Sequence, residues 1–136
     1  MVKLENINFS YDNASDVLHN FSLSVDKGEI VAIKGASGSG KSTILRLIAG
    51  LESQQTGNIF VNGNLINNLP TNKRNTGFVF QSLALFPHLT VRKNIEFGLH
   101  QKSKSERNAL VDEIVNKIEI SDILDRYPHQ ISGGQK

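Results

Sequence analysis

The sequence predicts an α/β fold, and three patterns along the chain support this prediction. Residues 29–34 form a short apolar run rich in β-branched side chains, which is typical of a buried strand. Residues 43–49 have the composition of a helix that ends at Gly50. Residues 2–9 and 17–25 alternate apolar and polar side chains, which is typical of half-buried strands. A strand, a glycine-rich loop and a helix therefore follow one another in the first half of the chain.

The loop between that strand and that helix has the form G-x-x-x-x-G-K-S at residues 35–42. This spacing is typical of loops that bind phosphate, because a chain without bulky side chains can point successive backbone N–H groups at phosphate oxygens. Gly35, Gly38 and Gly40 allow the positive φ angles and the close approach that such a loop requires. We therefore expect phosphate groups to bind inside this loop.

The helix that follows the loop favours the same ligand. Its start near Lys41 brings the positive end of the helix dipole and N–H groups without intrahelical partners to the phosphates. We expect Lys41 to reach the β- and γ-phosphates and the Ser42 hydroxyl to bind Mg²⁺. The alternative, a glycine-rich turn with an incidental lysine, leaves the strand and helix on either side of the loop unexplained.

Composition and charge restrict the class of protein. The chain has 136 residues, of which 38% are hydrophobic and 21% charged, as in an ordinary globular domain. The formal net charge of +2 is too small to indicate a nucleic-acid or membrane surface. Because there is no cysteine, disulfides and zinc–thiolate sites are excluded. No apolar run has transmembrane length, and residues 1–6 contain no signal-peptide core, which predicts a cytosolic protein.

The two N-terminal strands are expected to pair as an antiparallel sheet beside the nucleotide. Residues 10–16 between them have the composition of a loop. Tyr11 lies in this loop and allows two interpretations. Its ring stacks on the adenine base, or it packs as a partly buried anchor of the loop.

A hairpin and a further buried strand are predicted after Gly50. Asn62-Gly63 is the strongest short hairpin signal in the chain. Residues 76–80 form an apolar run typical of a buried strand, and Gln81 follows at its carboxyl edge, where ligands bind in open α/β sheets. Gln81 is either a contact to the metal or to a water at the γ-phosphate, or a solvated loop residue.

Two helices are predicted further along the chain. Thr90 is expected to cap a helix at residues 91–99, and residues 105–118 form an amphipathic helix. The apolar face of the second helix is expected to consist of Leu110, Ile114 and Ile118, with Val111 and Val115 beside it. Residues 109–113 superficially resemble an apolar strand that ends in Asp-Glu, but the helical periodicity favours the helix.

Near its end the sequence contains Ser-Gly-Gly-Gln at residues 132–135. Ser132 offers the hydroxyl of a helix cap, and Gly133 and Gly134 leave their N–H groups unshielded, which suits a second anion site. An ordinary surface turn fits the same residues equally well.

Together these motifs resemble the ATP-binding subunits of ABC transporters. The resemblance rests on the phosphate loop at residues 35–42, on Gln81 at a strand end and on residues 131–135. The last stretch is similar to the family signature Leu-Ser-Gly-Gly-Gln, with Ile131 in place of the usual leucine. Residues 80–91 look most like bacterial importers, and the resemblance covers the whole chain.

The resemblance implies a phosphate-loop NTPase (RecA-like) core with an N-terminal antiparallel β subdomain and an α-helical subdomain. Residues 1–136 would be a partial ABC ATPase domain, with the β subdomain and core at residues 1–86 and the helical subdomain at residues 87–136. Family members continue after the signature with a strand that carries the Mg²⁺-binding aspartate and the general-base glutamate, and then a histidine. The C-terminal part of the core is therefore expected to be missing, as in the N-terminal part of a longer protein.

The resemblance also implies roles for individual residues. Tyr11 would stack on the adenine of ATP. The phosphates would be held by Gly35, Ser37, Gly38, Gly40, Lys41, Ser42 and Thr43. The ATP of a second copy would be contacted by Ser132, Gly133, Gly134 and Gln135. Lys41 and Gln81 would serve catalysis, and Ser42 and Gln81 would bind Mg²⁺, with Gln81 also relaying closure to the membrane subunit.

The function that the resemblance implies is ATP hydrolysis that energises import across a membrane. Family members act as head-to-tail dimers with two ATP molecules between the subunits, and they drive transmembrane permease subunits through the helical subdomain. The subunit would be peripheral, on the cytoplasmic face of the cell membrane, and no nucleic-acid partner is expected. The chain alone is expected to bind nucleotide but not to hydrolyse it efficiently. The sequence does not identify the transported substrate.

Three alternatives belong to other classes. A soluble ABC-type ATPase acting on ribosomes or DNA usually has two ATPase units or a long insertion, and neither is visible in the sequence. A small-molecule kinase on the same loop would need a mobile lid with arginines and has no place for Ser-Gly-Gly-Gln. A binding-only fragment differs from the first interpretation only in what this piece does by itself.

Overall fold

A computed structural model describes residues 1–11, 16–82 and 84–136, which form two compact units at residues 1–78 and 79–136. The predicted loop at residues 10–16 and the importer-like stretch at residues 80–91 therefore lie partly outside the described residues. No helix among the described residues is long and apolar enough to cross a membrane.

The first unit contains a four-stranded antiparallel sheet with the strand order β2-β1-β3-β4. The strands are β1 (Val2–Ser10), β2 (Asp16–Val25), β3 (Thr56–Val61) and β4 (Asn64–Leu65). The predicted antiparallel pairing of the first two strands is confirmed. The predicted hairpin at Asn62-Gly63 is confirmed too, since both residues have positive φ, 49° and 79°, as a two-residue hairpin turn requires.

One face of this sheet packs against helix α1 (Lys41–Ala49) and forms the core of the first unit. The fully buried side chains include Leu4 and Ile7 on β1 and Leu47 on α1. Leu4 and Ile7 share a face although they are three residues apart, because the strand register shifts between them and Asn6 has a φ of 50°. Burial of each such side chain stabilises the fold by about 1.5–3 kcal/mol, so α1 is held firmly on the sheet.

The predictions of buried strands at residues 29–34 and 76–80 are wrong. Neither segment belongs to the described sheet, and the side chains of Ile30 and Val79 are 97% and 92% exposed. An apolar run becomes a buried strand only where neighbouring strands accept its backbone hydrogen bonds on both sides. Among the described residues, the four strands of the sheet pair only with one another.

The second unit is helical, with α2 (Val91–Glu96) and α3 (Lys104–Ile118) as its main elements. Helix α2 continues as a 3₁₀ turn at Phe97–Leu99, so the predicted extent of that helix is confirmed. The predicted cap is confirmed as well, since the Thr90 hydroxyl accepts a hydrogen bond from the Lys93 N–H at 3.4 Å. Short 3₁₀ turns follow at Ser121–Ile123, Pro128–Gln130 and Gly133–Gln135.

The predicted apolar face of α3 is wrong. Val111 and Val115 are the buried residues of this helix, whereas Leu110, Ile114 and Ile118 are 37%, 43% and 57% exposed. Burial of the two valines decides which face of α3 is turned inward, since each buried apolar side chain contributes about 1.5–3 kcal/mol. Asp112, one position along from Val111, accepts a hydrogen bond from Arg92 on α2 at 3.1 Å, so a polar contact joins the two helices beside the buried valines. Residues 109–113 are helical, as predicted.

Candidate phosphate-binding site

The phosphate loop has the backbone geometry that its glycines predict. Gly38 and Gly40 have φ angles of 81° and 82°, in the left-handed region that glycine adopts without steric cost. Gly35 meets a different requirement, since a Cβ placed there would lie 2.6 Å from the Ser39 hydroxyl. Gly38 and Gly40 therefore provide the curvature of the loop, and Gly35 leaves room for the Ser39 hydroxyl.

The amino terminus of α1 is open at the end of this loop. The helix follows Gly40, which has no side chain to cap it, and the first turn contains no acidic residue. Because the first N–H groups of a helix lack intrahelical acceptors, those of Lys41, Ser42 and Thr43 are donors facing the loop. This arrangement suits an anion, since the amino-terminal end of the helix dipole is positive, like the partial charge on these N–H groups.

The ammonium of Lys41 lies over the phosphate loop. It donates hydrogen bonds to the carbonyl oxygens of Gly35 and Ala36, at 3.0 and 2.5 Å, and lies 3.4 Å from the Ser39 hydroxyl. The loop carbonyls thus hold the positive charge within the curve of the loop, next to the donors of the helix terminus.

Tyr11 connects the N-terminal sheet to the start of α1. Its hydroxyl lies 3.2 Å from the hydroxyl of the buried Thr43, and its ring packs edge-on against Phe9 with centroids 4.8 Å apart. The Tyr11 side chain nevertheless remains 56% exposed. The structure therefore anchors this residue and leaves ring surface free, so the anchoring contact does not exclude stacking on a base.

These groups line one cavity of about 310 Å³ in the first unit. Its lining consists of Tyr11, Val17, Gly38, Ser39, Gly40, Lys41, Ser42 and Thr43. Sequence reasoning missed two of them. Ser39 occupies a position that the motif leaves open, and Val17 is brought to the loop only by the fold of β2. The pattern of the sequence contains no signal for either residue.

The remaining predicted site residues are distributed as follows. Ser37 is exposed on the loop, next to the cavity-lining residues. Gln81 is exposed in a turn of the second unit, as are residues 132–135. Within that stretch the Ser132 N–H donates to the Gln135 side-chain oxygen at 3.0 Å, which closes a short 3₁₀ turn.

The cavity suits a magnesium ion bound together with phosphates. Mg²⁺ takes only one or two oxygen ligands from a protein and completes its shell with phosphate oxygens and water. The Ser42 side chain offers one such oxygen at the cavity and is exposed. Among the described residues no group of three or more His, Cys, Asp or Glu side chains could hold a metal ion.

Arg74 supports the opposite end of α1 and was also missed by sequence reasoning. Its side chain is only 4% exposed, yet it carries a guanidinium group. That group donates hydrogen bonds to the carbonyl oxygens of Leu47 and Ile48, in the last turn of α1, at 2.7 and 3.3 Å. It also donates to Asn67 and Leu69 at 3.1 and 2.8 Å. Burial lowers the pKa of Arg74 from its ordinary value, because desolvation disfavours the charged form.

The chain matches a known protein family along most of its length. The family model described as "ABC transporter" matches residues 18–136. The match includes the phosphate loop, Gln81 and the Ser-Gly-Gly-Gln stretch.

Curated relatives are import ATP-binding proteins by name. The sulfate/thiosulfate import ATP-binding protein of Pseudomonas syringae pv. tomato is 43% identical over 99% of this chain and 43% of its own length. The Fe(3+) ions import ATP-binding protein of Fusobacterium nucleatum and the spermidine/putrescine import ATP-binding protein of Thermotoga maritima are each 44% identical over 99% of this chain and 37% of their own length. The chain therefore spans about two fifths of the length of these relatives.

A solved structure has the same fold. A dimeric ATP-binding cassette in a post-hydrolysis state, bound to ADP and Pi, aligns with a TM-score of 0.86 at 34% identity. The alignment covers 99% of this chain and 65% of that chain. The α/β fold class predicted from the sequence is confirmed by this likeness.

Proposed function

Because the chain belongs to the ABC transporter family, we propose that it is the nucleotide-binding part of an ATPase subunit that energises import across a membrane. One observation carries the proposal. The open terminus of α1, the Lys41 ammonium and the partly exposed Tyr11 ring meet at a single cavity. A nucleoside triphosphate needs these three features together, since it combines a polyanion with a flat base.

In this proposal each group has a separate task, which its described contacts support. ATP phosphates replace the loop carbonyls as partners of Lys41, because charged oxygens are stronger acceptors than neutral carbonyls. The N–H groups of residues 41–43 and the loop bind the remaining phosphate oxygens. Gly35 and Ser37 belong to the same loop and add backbone donors. Tyr11 stacks on the adenine while its contact to Thr43 fixes the ring.

Catalysis would use a magnesium ion, held by Ser42 and Gln81, which neutralises charge that develops on the phosphates. Lys41 would stabilise the same charge, and Gln81 would also position the attacking water and relay closure to the membrane subunit. The only adjacent Asp-Glu pair in the sequence, Asp112-Glu113, lies in α3. Its carboxylates bond Arg92 and Lys117. The 136-residue chain by itself would therefore bind nucleotide and hydrolyse it slowly.

The partners proposed are a second copy of the subunit and transmembrane permease subunits, at the cytoplasmic face of the membrane. Ser132, Gly133, Gly134 and Gln135 would contact the ATP bound by the second copy in a head-to-tail dimer. The dimeric state of the solved cassette supports this arrangement. The helical subdomain, proposed at residues 87–136, would bind the permease. The relatives are named for sulfate, iron and polyamine import, so they favour import without selecting one substrate.

Nucleotide titration of the purified chain tests this proposal. Isothermal titration calorimetry with Mg-ATP should give binding to the wild-type chain and at least about a tenfold weaker affinity for Lys41→Ala, since a charge-assisted hydrogen bond contributes about 1.5–3 kcal/mol. Lys27→Ala, in the exposed turn after β2, is the matched control and should bind like the wild type. Tyr11→Ala should weaken ATP binding and leave tripolyphosphate binding unchanged. Equal ATP affinities for the wild type and Lys41→Ala would contradict the proposal.

A further inference from the structure

Arg74 is a buried cation whose described partners are all neutral. Its side chain is 4% exposed, and the four oxygens that accept its hydrogen bonds are backbone carbonyls. Removing a charged group from water is unfavourable unless the new surroundings supply matching charge or dipoles. Because a guanidinium group stays protonated in proteins, surroundings that favour a cation are needed at this place.

The carboxyl end of α1 supplies that favourable field. Leu47 and Ile48 belong to the last turn of the helix, where the helix dipole is negative. The Leu47 carbonyl also accepts a hydrogen bond from the Gly50 N–H at 3.2 Å, so Arg74 adds a second, charged donor to it. The guanidinium fork donates to these two carbonyls and to two in the segment after β4 at once, which a single ammonium cannot do. Arg74 thus ties the end of α1 to the segment that contains Asn67 and Leu69.

Gly50 keeps the space for this group free. It follows the last turn of α1 with a φ of 76°, and a Cβ at this position would collide with the Nε of Arg74. A second bond reinforces the same junction, since the Thr71 hydroxyl donates to the Gly50 carbonyl at 2.8 Å. The sequence therefore provides a small residue, a fork and a hydroxyl at one end of the helix.

Helix α1 is a rigid rod about 13 Å long with the phosphate loop at one end and Arg74 at the other. We propose that Arg74 is a positioning residue for the phosphate loop, which it orients by fixing the carboxyl end of α1. The inference rests on the proposed nucleotide site. Loss of the fork frees the helix end to shift, and the N–H groups of the first turn then point less accurately at the phosphates.

Two variants of the 136-residue chain separate positioning from stability alone. Arg74→Met removes the fork and the charge, and Arg74→Lys keeps only the charge. Asn8→Ala is the control, because Asn8 bonds Asn20 and Thr56 within the sheet of the same unit and does not bond α1. The readouts are Mg-ATP affinity, melting temperature and the ¹H–¹⁵N amide shifts of the phosphate loop.

The expected result is a change at the far end of the helix. Arg74→Met should weaken Mg-ATP binding by at least about tenfold and shift the amide signals of Gly38, Gly40 and Lys41 in the absence of nucleotide. Arg74→Lys should show a smaller change in the same direction. Asn8→Ala should lower the melting temperature while leaving both the affinity and the loop amides unchanged.

A folded Arg74→Met chain with wild-type Mg-ATP affinity and unshifted loop amide signals would overturn the proposal. It would also be overturned if Asn8→Ala lost as much affinity as Arg74→Met for the same loss of stability. If Arg74→Met does not fold, Arg74→Lys decides by the same two criteria. If the wild-type chain itself binds no Mg-ATP, the proposed function fails. The loop amides of the Arg74 variants then decide the positioning role by themselves.

Discussion

The amino termini of α1 and α3 solve the same backbone problem in opposite ways. Helix α1 begins after Gly40 and has no side-chain cap. Helix α3 begins after Ser103, whose hydroxyl accepts a hydrogen bond from the Glu106 N–H at 3.3 Å. The Glu106 carboxylate in turn accepts from the Ser103 N–H at 2.9 Å and from its hydroxyl at 2.7 Å. The first terminus has no side-chain acceptor, and the second pairs the N–H groups of Ser103 and Glu106 with its own side chains.

The difference shows how a helix start is assigned to binding or to stability. A capping box pairs two backbone donors at the start of a helix and places a carboxylate where an anion would bind, so it stabilises the helix and disfavours an anionic ligand. At α1 the same donors are kept free, and the stabilisation comes from the core beneath the helix and from Arg74 at its other end. The helix with the open terminus is therefore held by long-range contacts, and the capped helix by local ones.

The largest expected effect on this comparison comes from adding a side chain at the open terminus. Gly38 and Gly40 have nearly equal φ angles, but a Cβ on Gly40 would lie 3.0 to 3.2 Å from Val17 and Leu18, whereas one on Gly38 meets nothing within 4 Å. Gly38→Ala should lower the free energy of unfolding by about 1–2 kcal/mol through backbone strain alone. Gly40→Ala should lower the free energy of unfolding by a larger amount and weaken nucleotide binding as well. Urea unfolding and calorimetric titration of both variants test this, and equal unfolding losses would contradict the role given to Val17.

Local signals in the sequence predicted the local parts of this fold correctly. The phosphate loop, the Asn62-Gly63 hairpin and the Thr90 cap are each encoded within a few residues, because backbone conformation and short hydrogen bonds decide them. The contact between Tyr11 and Thr43 joins residues 32 positions apart, and no periodicity predicts it. The loop of the candidate site was thus predictable from the sequence, but the long-range contacts that hold it were not.

The failures have one physical cause, which is dependence on distant partners. Residues 29–34 and 76–80 have the composition of buried strands, but burial requires strands that pair with them. On α3 the spacing of Leu110, Ile114 and Ile118 is as regular as a core face, yet the structure buries the neighbouring face with Val111 and Val115. Apolar periodicity gives the type of element and leaves its orientation to tertiary contacts.

A smaller effect is expected when the closed terminus is opened. Ser103→Ala removes the acceptor for the Glu106 N–H and should destabilise α3 by about 1 kcal/mol, the usual contribution of such a cap. It should leave Mg-ATP affinity unchanged, because the donor that is freed lies on α3 and not in the cavity proposed for the nucleotide. Urea unfolding followed by helical circular dichroism measures the first effect, and titration measures the second. A loss of nucleotide affinity would show that capping of α3 and binding at α1 are not independent.

The smallest expected effect is a difference in pH dependence between the two helix starts. Hydrogen bonds from the side chain and backbone of Ser103 lower the pKa of Glu106 in the folded chain. A carboxyl group with a lowered folded pKa stabilises the fold above its ordinary pKa, about pH 4, and loses this contribution as the pH falls through the folded value. Glu106→Gln should therefore be less stable than the wild type at neutral pH and approach its stability on acidification. Urea unfolding of both chains at neutral pH and at a pH below the folded pKa of Glu106 measures the difference. Glu113, whose pKa Lys117 also lowers, is present in both chains and cancels in the difference. Since the first turn of α1 has no acidic residue, acidification should not change the stability of its terminus in this way. A stability difference between wild type and Glu106→Gln that does not depend on pH would show that the Glu106 carboxylate does not stabilise the start of α3.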